Sequence, residues 1–314
     1  MNNMIRKEAF YFDSRDRESK IHAVRWKPDV EKPVCIFQIV HGMAEHIERY
    51  DEFATFLAQK GILVVGDDHL GHGKSVPEGG TYGYFCKEDA AGVLVRDEHR
   101  LKKIMQEQYP GVPYLILGHS MGSFIVRNYL FHYGSGIGGA IIVGTGMQSK
   151  FTLLAARTVT AIQKWFLGPK HVGKFIDKAS FGKFNDRFSP ARTNADWLSR
   201  NEENVDRYLA DPMCGFVFTL NGFAALFQLI HNCYDAEKIE KMPKQLPVLL
   251  LSGADDPVGN YGKSVESVYR SYLEHGMQNV QMKLYEKDRH ELLNEVDREQ
   301  VYGEIYRWIL QRIV

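Results

Sequence analysis

Apolar and polar positions alternate in short blocks along the first part of the chain. Glu8 to Asp13 and Lys20 to Trp26 alternate residue by residue around the polar stretch Ser14 to Ser19, the pattern of an antiparallel opening hairpin. Val34 to Val40 is instead a nearly unbroken apolar run, as expected of a strand covered on both faces. Ile47, Tyr50, Phe53, Phe56 and Leu57 then recur at helical spacing within residues 47–60, and Gly61 to Gly66 reads as the next strand. The rhythm continues. A charged amphipathic helix over 90–108 stops at Tyr109-Pro110-Gly111, followed by a strand from Tyr114 to Leu117, a helix from Ser123 to Tyr133 and a strand from Ala140 to Val143. After an interruption come a strand (Pro247 to Leu251), a helix (Lys263 to Glu274), a strand (Val280 to Tyr285) and a final helix over 296–314. Strands alternating with helices predict an α/β fold with a mostly parallel, doubly wound sheet.

The interruption, residues 146–240, divides the chain into a main domain of residues 1–145 and 241–314 and an inserted, mainly helical cap. Phe151 to Leu167 has helical spacing, with Leu154, Ile162, Trp165 and Phe166 on it, and Trp197-Leu198 and Cys214 to Phe218 add further apolar and aromatic residues. Placed after this strand, such an insertion sits over the strand ends as a lid. Its apolar residues serve either that purpose or only the insertion's own small core. Arg157 and Lys164 argue against a membrane span for its first helix.

Composition narrows the partners. At 314 residues, with 44% apolar and 25% charged residues, the chain is long enough for a large core plus an inserted subdomain and has the balance of an ordinary globule. Lys+Arg 39 against Asp+Glu 39 gives no electrostatic case for nucleic acid or an anionic membrane. Four cysteines (Cys35, Cys86, Cys214, Cys233) lack metal or redox spacing and read as reduced thiols. The opening Met-Asn-Asn-Met-Ile-Arg-Lys-Glu has no apolar segment behind its charges, so a cytoplasmic location is the expectation. There is no internal repeat and no transmembrane run.

The chemistry concentrates at Gly118-His119-Ser120-Met121-Gly122, a G-x-S-x-G between a strand and a helix. Glycines suit a sharp turn where two backbones pass too close for side chains, and the turn projects the serine hydroxyl above the sheet. The N–H of Met121, at the helix N-terminus, points toward the place where an oxyanion would form. A nucleophilic serine needs a base and an acid to orient it, in the chain order Ser, acid, His. The strand ending at Leu251 runs into Ser252-Gly253-Ala254-Asp255-Asp256, and the strand ending at Tyr285 into Glu286-Lys287-Asp288-Arg289-His290. His290 follows the last strand, whereas His275 precedes it and His119 faces away from Ser120. Asp255 and Asp256 are adjacent, and only one can aim at the imidazole. Asp288 reads as a solvated loop charge.

Further motifs carry a family likeness. His41-Gly42-Met43-Ala44-Glu45-His46 and Asp68-His69-Leu70-Gly71-His72-Gly73-Lys74-Ser75, together with the serine elbow and the loop from Leu251 to Val258, resemble the monoacylglycerol lipase and lysophospholipase group of α/β-hydrolases. The likeness covers residues 33–133 and 247–310 and is weaker in the cap. It implies Ser120 as nucleophile, Asp256 as acid, His290 as base, and the Met43 and Met121 N–H groups as the oxyanion hole. Chemistry by such a triad needs no metal or cofactor; the expected partner is a small acyl ester, with transient contact of the cap with a lipid surface. Ser123 replaces a glycine usual in that group, and Met43 replaces a small residue, which narrows the acyl channel. Monoacylglycerols or lysophospholipids are the expected substrates, with a short-chain esterase or thioesterase, or a non-catalytic binding protein, as alternatives. Glu45 and Arg49, four apart, read either as a solvated helix-stabilising pair or, by the likeness, as part of a polar pocket for the glycerol head.

Overall fold

The computed structural model describes residues 5–313. Met1 to Met4, the head of the segment behind the cytoplasmic expectation, and Val314, the end of the last predicted helix, lie outside the described residues. Strands β1 (Arg6–Asp13) and β2 (Lys20–Lys27) form the expected hairpin, and β2 runs antiparallel to β4 (Leu63–Asp67). From there the sheet is parallel through β3 (Ile36–Val40), β5 (Tyr114–His119), β6 (Gly139–Val143), β7 (Val248–Gly253) and β8 (Val280–Tyr285). The spatial order is β1-β2-β4-β3-β5-β6-β7-β8. This is the α/β-hydrolase fold expected from the strand and helix pattern.

Period-two alternation explains why the central strands are apolar throughout. Ile36, Val40, Ile116, Ala140, Ile142, Val248 and Leu250 point to one face, where α2 (Ala90–Gln108), α3 (Met121–Tyr133) and α9 (Lys263–Glu274) cover them. Phe37, Ile39, Leu115, Leu117, Ile141, Val143 and Leu251 point to the other, against α1 (Asp51–Ala58) and α10 (Arg298–Leu310). The helix expected over 47–60 divides into a 3-10 turn, Ile47–Tyr50, and α1. Asp68 accounts for the break: its carboxylate accepts from the Ile47 N–H at 2.9 Å and tethers the first turn to the neighbouring loop.

Between β6 and β7 lie α4 (Lys150–Leu167), α5 (Lys174–Phe181), α6 (Glu202–Ala210), α7 (Leu220–Asn232) and α8 (Ala236–Glu240). Two of these helices are placed very differently. Helix α7 packs on α2 and α3, and its Phe223, Leu226, Phe227 and Leu229 join the core beneath that face of the sheet. Helix α4 lies outside, buries Leu153, and leaves Phe151, Trp165 and Phe166 exposed. No helix among the described residues is long and apolar enough to cross a membrane.

Candidate active site

The turn at Ser120 is set by backbone crowding. A Cβ at Gly122 would overlap the carbonyl oxygen of Val40 at the end of β3, and one at Gly118 would overlap the carbonyl of Gly122. With both glycines in place, α3 starts against the ends of β3 and β5. Ser120 absorbs the sharp turn at φ 52° and ψ −118°, a conformation that costs a non-glycine residue of order 1–3 kcal/mol. Its N–H donates to the Val143 carbonyl at 3.0 Å, and its own carbonyl accepts from the Ser123 hydroxyl at 2.5 Å. Ser123, where the resembled group has glycine, thus helps to tie the turn.

Ser120 borders a cavity of about 1030 Å³ whose lining includes Met43, Met121, Glu45, His290 and Glu291, together with apolar residues of the insertion such as Leu153, Phe181, Trp197 and Phe227. His290 and Asp256 are buried and joined by a 3.0 Å hydrogen bond between Nδ1 and Oδ2. Asp256 also accepts from the Val258 N–H at 2.8 Å and the Ser252 hydroxyl at 3.3 Å, which fixes its carboxylate. Asp255 instead offers its N–H to the Asp288 carbonyl at 2.9 Å, so the loop aims one of the two acids at the imidazole. The Ser120 hydroxyl makes no hydrogen bond to His290 in this structure. Such contacts are often loose until substrate is bound. The Met43 and Met121 N–H groups have no partner among the described hydrogen bonds of the protein, leaving two backbone donors at the cavity wall.

Asp288 corrects the sequence reading. It is fully buried and paired with Arg200, with Glu295 and Asp297 close by. Burial first, and then the charges of Glu295 and Asp297, push its carboxyl up to about 7. Glu45 and Arg49 do pair, at 2.7 Å, but inside the protein and not in solvent. Glu45 lines the cavity and accepts from Gly42 N–H (2.6 Å), Tyr50 (2.8 Å) and His119 (3.2 Å). Burial alone would raise its pKa, yet the His119 hydrogen bond and the Arg49 charge hold it well below the usual range. Arg49 also grips Glu291 with both nitrogens at 2.7 Å and touches Asn204 of α6 at 3.2 Å.

Several residues take roles at the site that the sequence did not reveal. Glu291 follows His290 and binds Arg49; nothing in its spacing marks it. His119 links Glu45 to the carbonyl of His290, at 3.2 Å to each. Burial opposes its charged form, but the bond to Glu45 and that carboxylate's charge outweigh burial and raise its pKa. Trp197 from the insertion lies over His290, ring centroids 5.2 Å apart. The 68–75 motif is scaffolding. Asp68 accepts from His22, Ile47 and Lys74, Ser75 donates to the Asp68 carbonyl at 2.5 Å, and His72 accepts from the Ala44 N–H at 3.2 Å.

Comparison with known proteins gives a consistent picture. Residues 31–297 match the family described as Serine aminopeptidase, S33. The chain is 30% identical over 303 residues to a monoglyceride lipase homolog of Monkeypox virus, covering 93% of this chain and 95% of that one. It is 29% identical to the human monoglyceride lipase, covering 91% and 86%. Among solved structures, a thermostable carboxyl esterase from Bacillus coagulans in complex with glycerol superposes with a TM-score of 0.91 at 30% identity, covering 99% of this chain and all of that one.

The crowding at the turn is directly testable. Gly122→Ala should lower stability by about 1–3 kcal/mol in chemical denaturation, because Val40 must move. Gly303→Ala, on α10 where a Cβ meets nothing within 4 Å, should be neutral or stabilising by up to about 1 kcal/mol. A wild-type midpoint for Gly122→Ala would show that the elbow is not close-packed.

Proposed function

As the chain belongs to the serine aminopeptidase S33 family of α/β-hydrolases and is a carboxylic ester hydrolase, we propose that Ser120 is its nucleophile, His290 the base and Asp256 the orienting acid. The observation that carries this reading is the buried Asp256–His290 hydrogen bond at the wall of the cavity that Ser120 borders. In the first half-reaction the Ser120 oxygen attacks the ester carbonyl carbon as His290 takes its proton. The negative oxygen that results accepts from the Met43 and Met121 N–H groups, donors already in place before reaction. His290 then protonates the departing alcohol as its bond to carbon breaks, leaving an acyl-enzyme that water cleaves by the same steps. Asp256 holds the imidazole tautomer and stabilises its charged form without taking the proton.

The substrate is a long-chain monoacylglycerol or lysophospholipid. A cavity of about 1030 Å³ lies at the upper end of small-molecule sites, and a short acyl chain would leave most of its apolar wall uncovered. Relatives named monoglyceride lipases support the monoacylglycerol over the short ester. At the alcohol end, Glu45 borders the head group, and Arg49 acts on that group through its hold on Glu45 and Glu291. Residues 146–240 form the cap. Its α4 lines the cavity with Leu153 and Ala156 and turns Phe151, Trp165 and Phe166 outward, so an amphiphile leaving a lipid surface enters beside the patch that touches that surface.

Steady-state kinetics test the assignment. Asp256→Asn should lower kcat about 10⁴-fold, since an amide favours the wrong tautomer, while Asp255→Asn should cost less than about tenfold. Equal losses reject the assignment. In the same assay, monoacylglycerols of sixteen to eighteen carbons should exceed p-nitrophenyl acetate in kcat/KM. Glu45→Ala and Arg49→Ala should cost about tenfold or more on monoacylglycerol and little on p-nitrophenyl esters; parallel losses with a lowered Tm make the pair purely structural.

The cap surface has its own test. Phosphatidylcholine vesicles should bind the protein and shift Trp165 fluorescence to the blue, and Trp165→Ser with Phe166→Ser should abolish binding while leaving turnover of a water-soluble ester unchanged. Equal vesicle binding by wild type and the double variant removes the lipid-surface role.

A further inference from the structure

Beside the loop that follows β3 lies a group of ionisable side chains that the mechanism does not use. Asp67 ends β4, His69 is in the following loop and Glu98 projects from α2; all three are buried. Their ligand atoms lie within 4.8 Å of one another, with His69 Nδ1 3.1 Å from Glu98 Oε1 and 3.9 Å from Asp67 Oδ2. Both Asp67 oxygens and Glu98 Oε1 lack a hydrogen-bond donor.

Tautomers follow from the surrounding bonds. His41 donates from Nδ1 to the Gly42 carbonyl (2.8 Å) and accepts at Nε2 from the His69 N–H (3.1 Å). His72 donates from Nδ1 to the Leu70 carbonyl (3.0 Å) and accepts at Nε2 from the Ala44 N–H (3.2 Å). Each has one donor and one acceptor in use and is therefore neutral. Burial, the dominant cause, lowers both, His72 to about 3. His69 is different. It donates from Nε2 to the His41 carbonyl at 3.0 Å, and its other nitrogen faces the two acids. Its ring stacks on His41 with centroids 3.9 Å apart.

Two carboxylates this close in a buried setting cannot both ionise. A bound cation would relieve them, but Gln38 already takes the second oxygen of Glu98 at 2.5 Å, and the cluster supplies three ligating residues, one short of the four of a closed zinc site. A proton needs no such cage. We propose that Asp67, Glu98 and His69 share a proton that holds His69 against the His41 carbonyl, and that they are positioning residues for the Met43 N–H; loss of that proton disorders the loop after β3 and slows turnover. The kinetic part rests on the oxyanion assignment made above.

Most acidic groups that face the cluster are shifted upward, and Asp68 is the exception. Burial, and then the charge of Glu98, raises Asp67; burial pushes Glu98 up to about 8, against hydrogen bonds from Gln38 and Asp67 that lower it. Asp97, next on α2, is pushed up to about 6 by burial while Ser14 and the Arg15 N–H hold its carboxylate. Asp68 is kept low despite its burial by His22 and two backbone donors. Gln38 from β3 is tied to Tyr114 from β5 at 2.5 Å, and Tyr129 from α3 is raised by burial and by Glu98. Among the cations of these elements, Lys102 of α2 is buried over the Tyr114 ring at 5.8 Å and forms no ion pair with Asp67 or Glu98 among the described residues. A carboxyl raised from 4.5 to about 8 favours the folded state most fully below 4.5 and loses that contribution as pH rises toward about 8.

Difference infrared spectroscopy between about pH 6 and pH 10 should show the carbonyl stretch of a protonated carboxylic acid disappearing in wild type and not in Glu98→Gln. The kcat of wild type should fall about tenfold on the alkaline side with an apparent pKa near about 8 and unchanged KM, and Glu98→Gln, or Asp67→Asn if that variant folds better, should remove this limb. Absence of the infrared band overturns the shared proton without reference to the oxyanion reading, as does a stoichiometric metal in the purified protein by elemental analysis. An alkaline limb retained in Glu98→Gln, with the band gone, overturns the link to turnover. Failure of Ser120 to react with a serine probe speaks only to the nucleophile and leaves the infrared outcome unaffected.

Discussion

The first turn of α3 passes so close to the end of β3 that no side chain fits between Gly122 and the Val40 carbonyl. The geometry of the cavity follows from that approach. It forces Ser120 into a strained backbone, places Met121 at the head of a helix, and brings the loop after β3, with Met43 and Glu45, alongside the serine. Held farther apart, β3 and α3 could present a serine and a donor but not both to one substrate atom. Neither glycine contributes a group to the chemistry; both contribute the absence of one.

Around this contact the protein buries charge in compensated sets. Arg49 joins Glu45 on the loop after β3 to Glu291 beside His290, and Asn204 of the insertion completes the set. Arg200, also from the insertion, reaches Asp288 and Glu295 in the His290 loop, and the Glu291 N–H donates to the Leu198 carbonyl at 2.8 Å. Replacing such buried pairs by apolar residues is often neutral, whereas removing one partner costs about 3–5 kcal/mol. Their value here is geometric. They fix the loops after β3 and β8 to one another and to residues 198–204, so this side of the insertion is anchored while the exposed face of α4 is not.

Period and punctuation made most of the fold legible. All eight strands lie within a few residues of the apolar runs that predicted them, because runs such as Val34 to Val40 have one physical explanation, burial on both faces of a sheet. The inserted region was only partly legible. The helical spacing of Phe151 to Leu167 corresponds to α4, but α7, although rich in Phe and Leu, gives no clue from spacing alone that it packs on α2 and α3. The residues grouped at the cavity were legible because elbow, acid loop and histidine loop each follow a strand. What escaped was pairing across long sequence separations. Asp288 read as solvated because its partner, Arg200, lies 88 residues away, and Glu291 read as nothing because Arg49 lies 242 residues away. The composition of a loop cannot report a partner that only the tertiary fold delivers.

The strained serine at the close approach of α3 to β3 is the group proposed to attack the ester. Treating the native protein with a long-chain fluorophosphonate and mapping the adduct by peptide mass spectrometry tests that role most directly. A single adduct is expected, on Ser120, that is lost when a monoacylglycerol is present in excess. An adduct on another residue, or full turnover by protein carrying the adduct on Ser120, would contradict it.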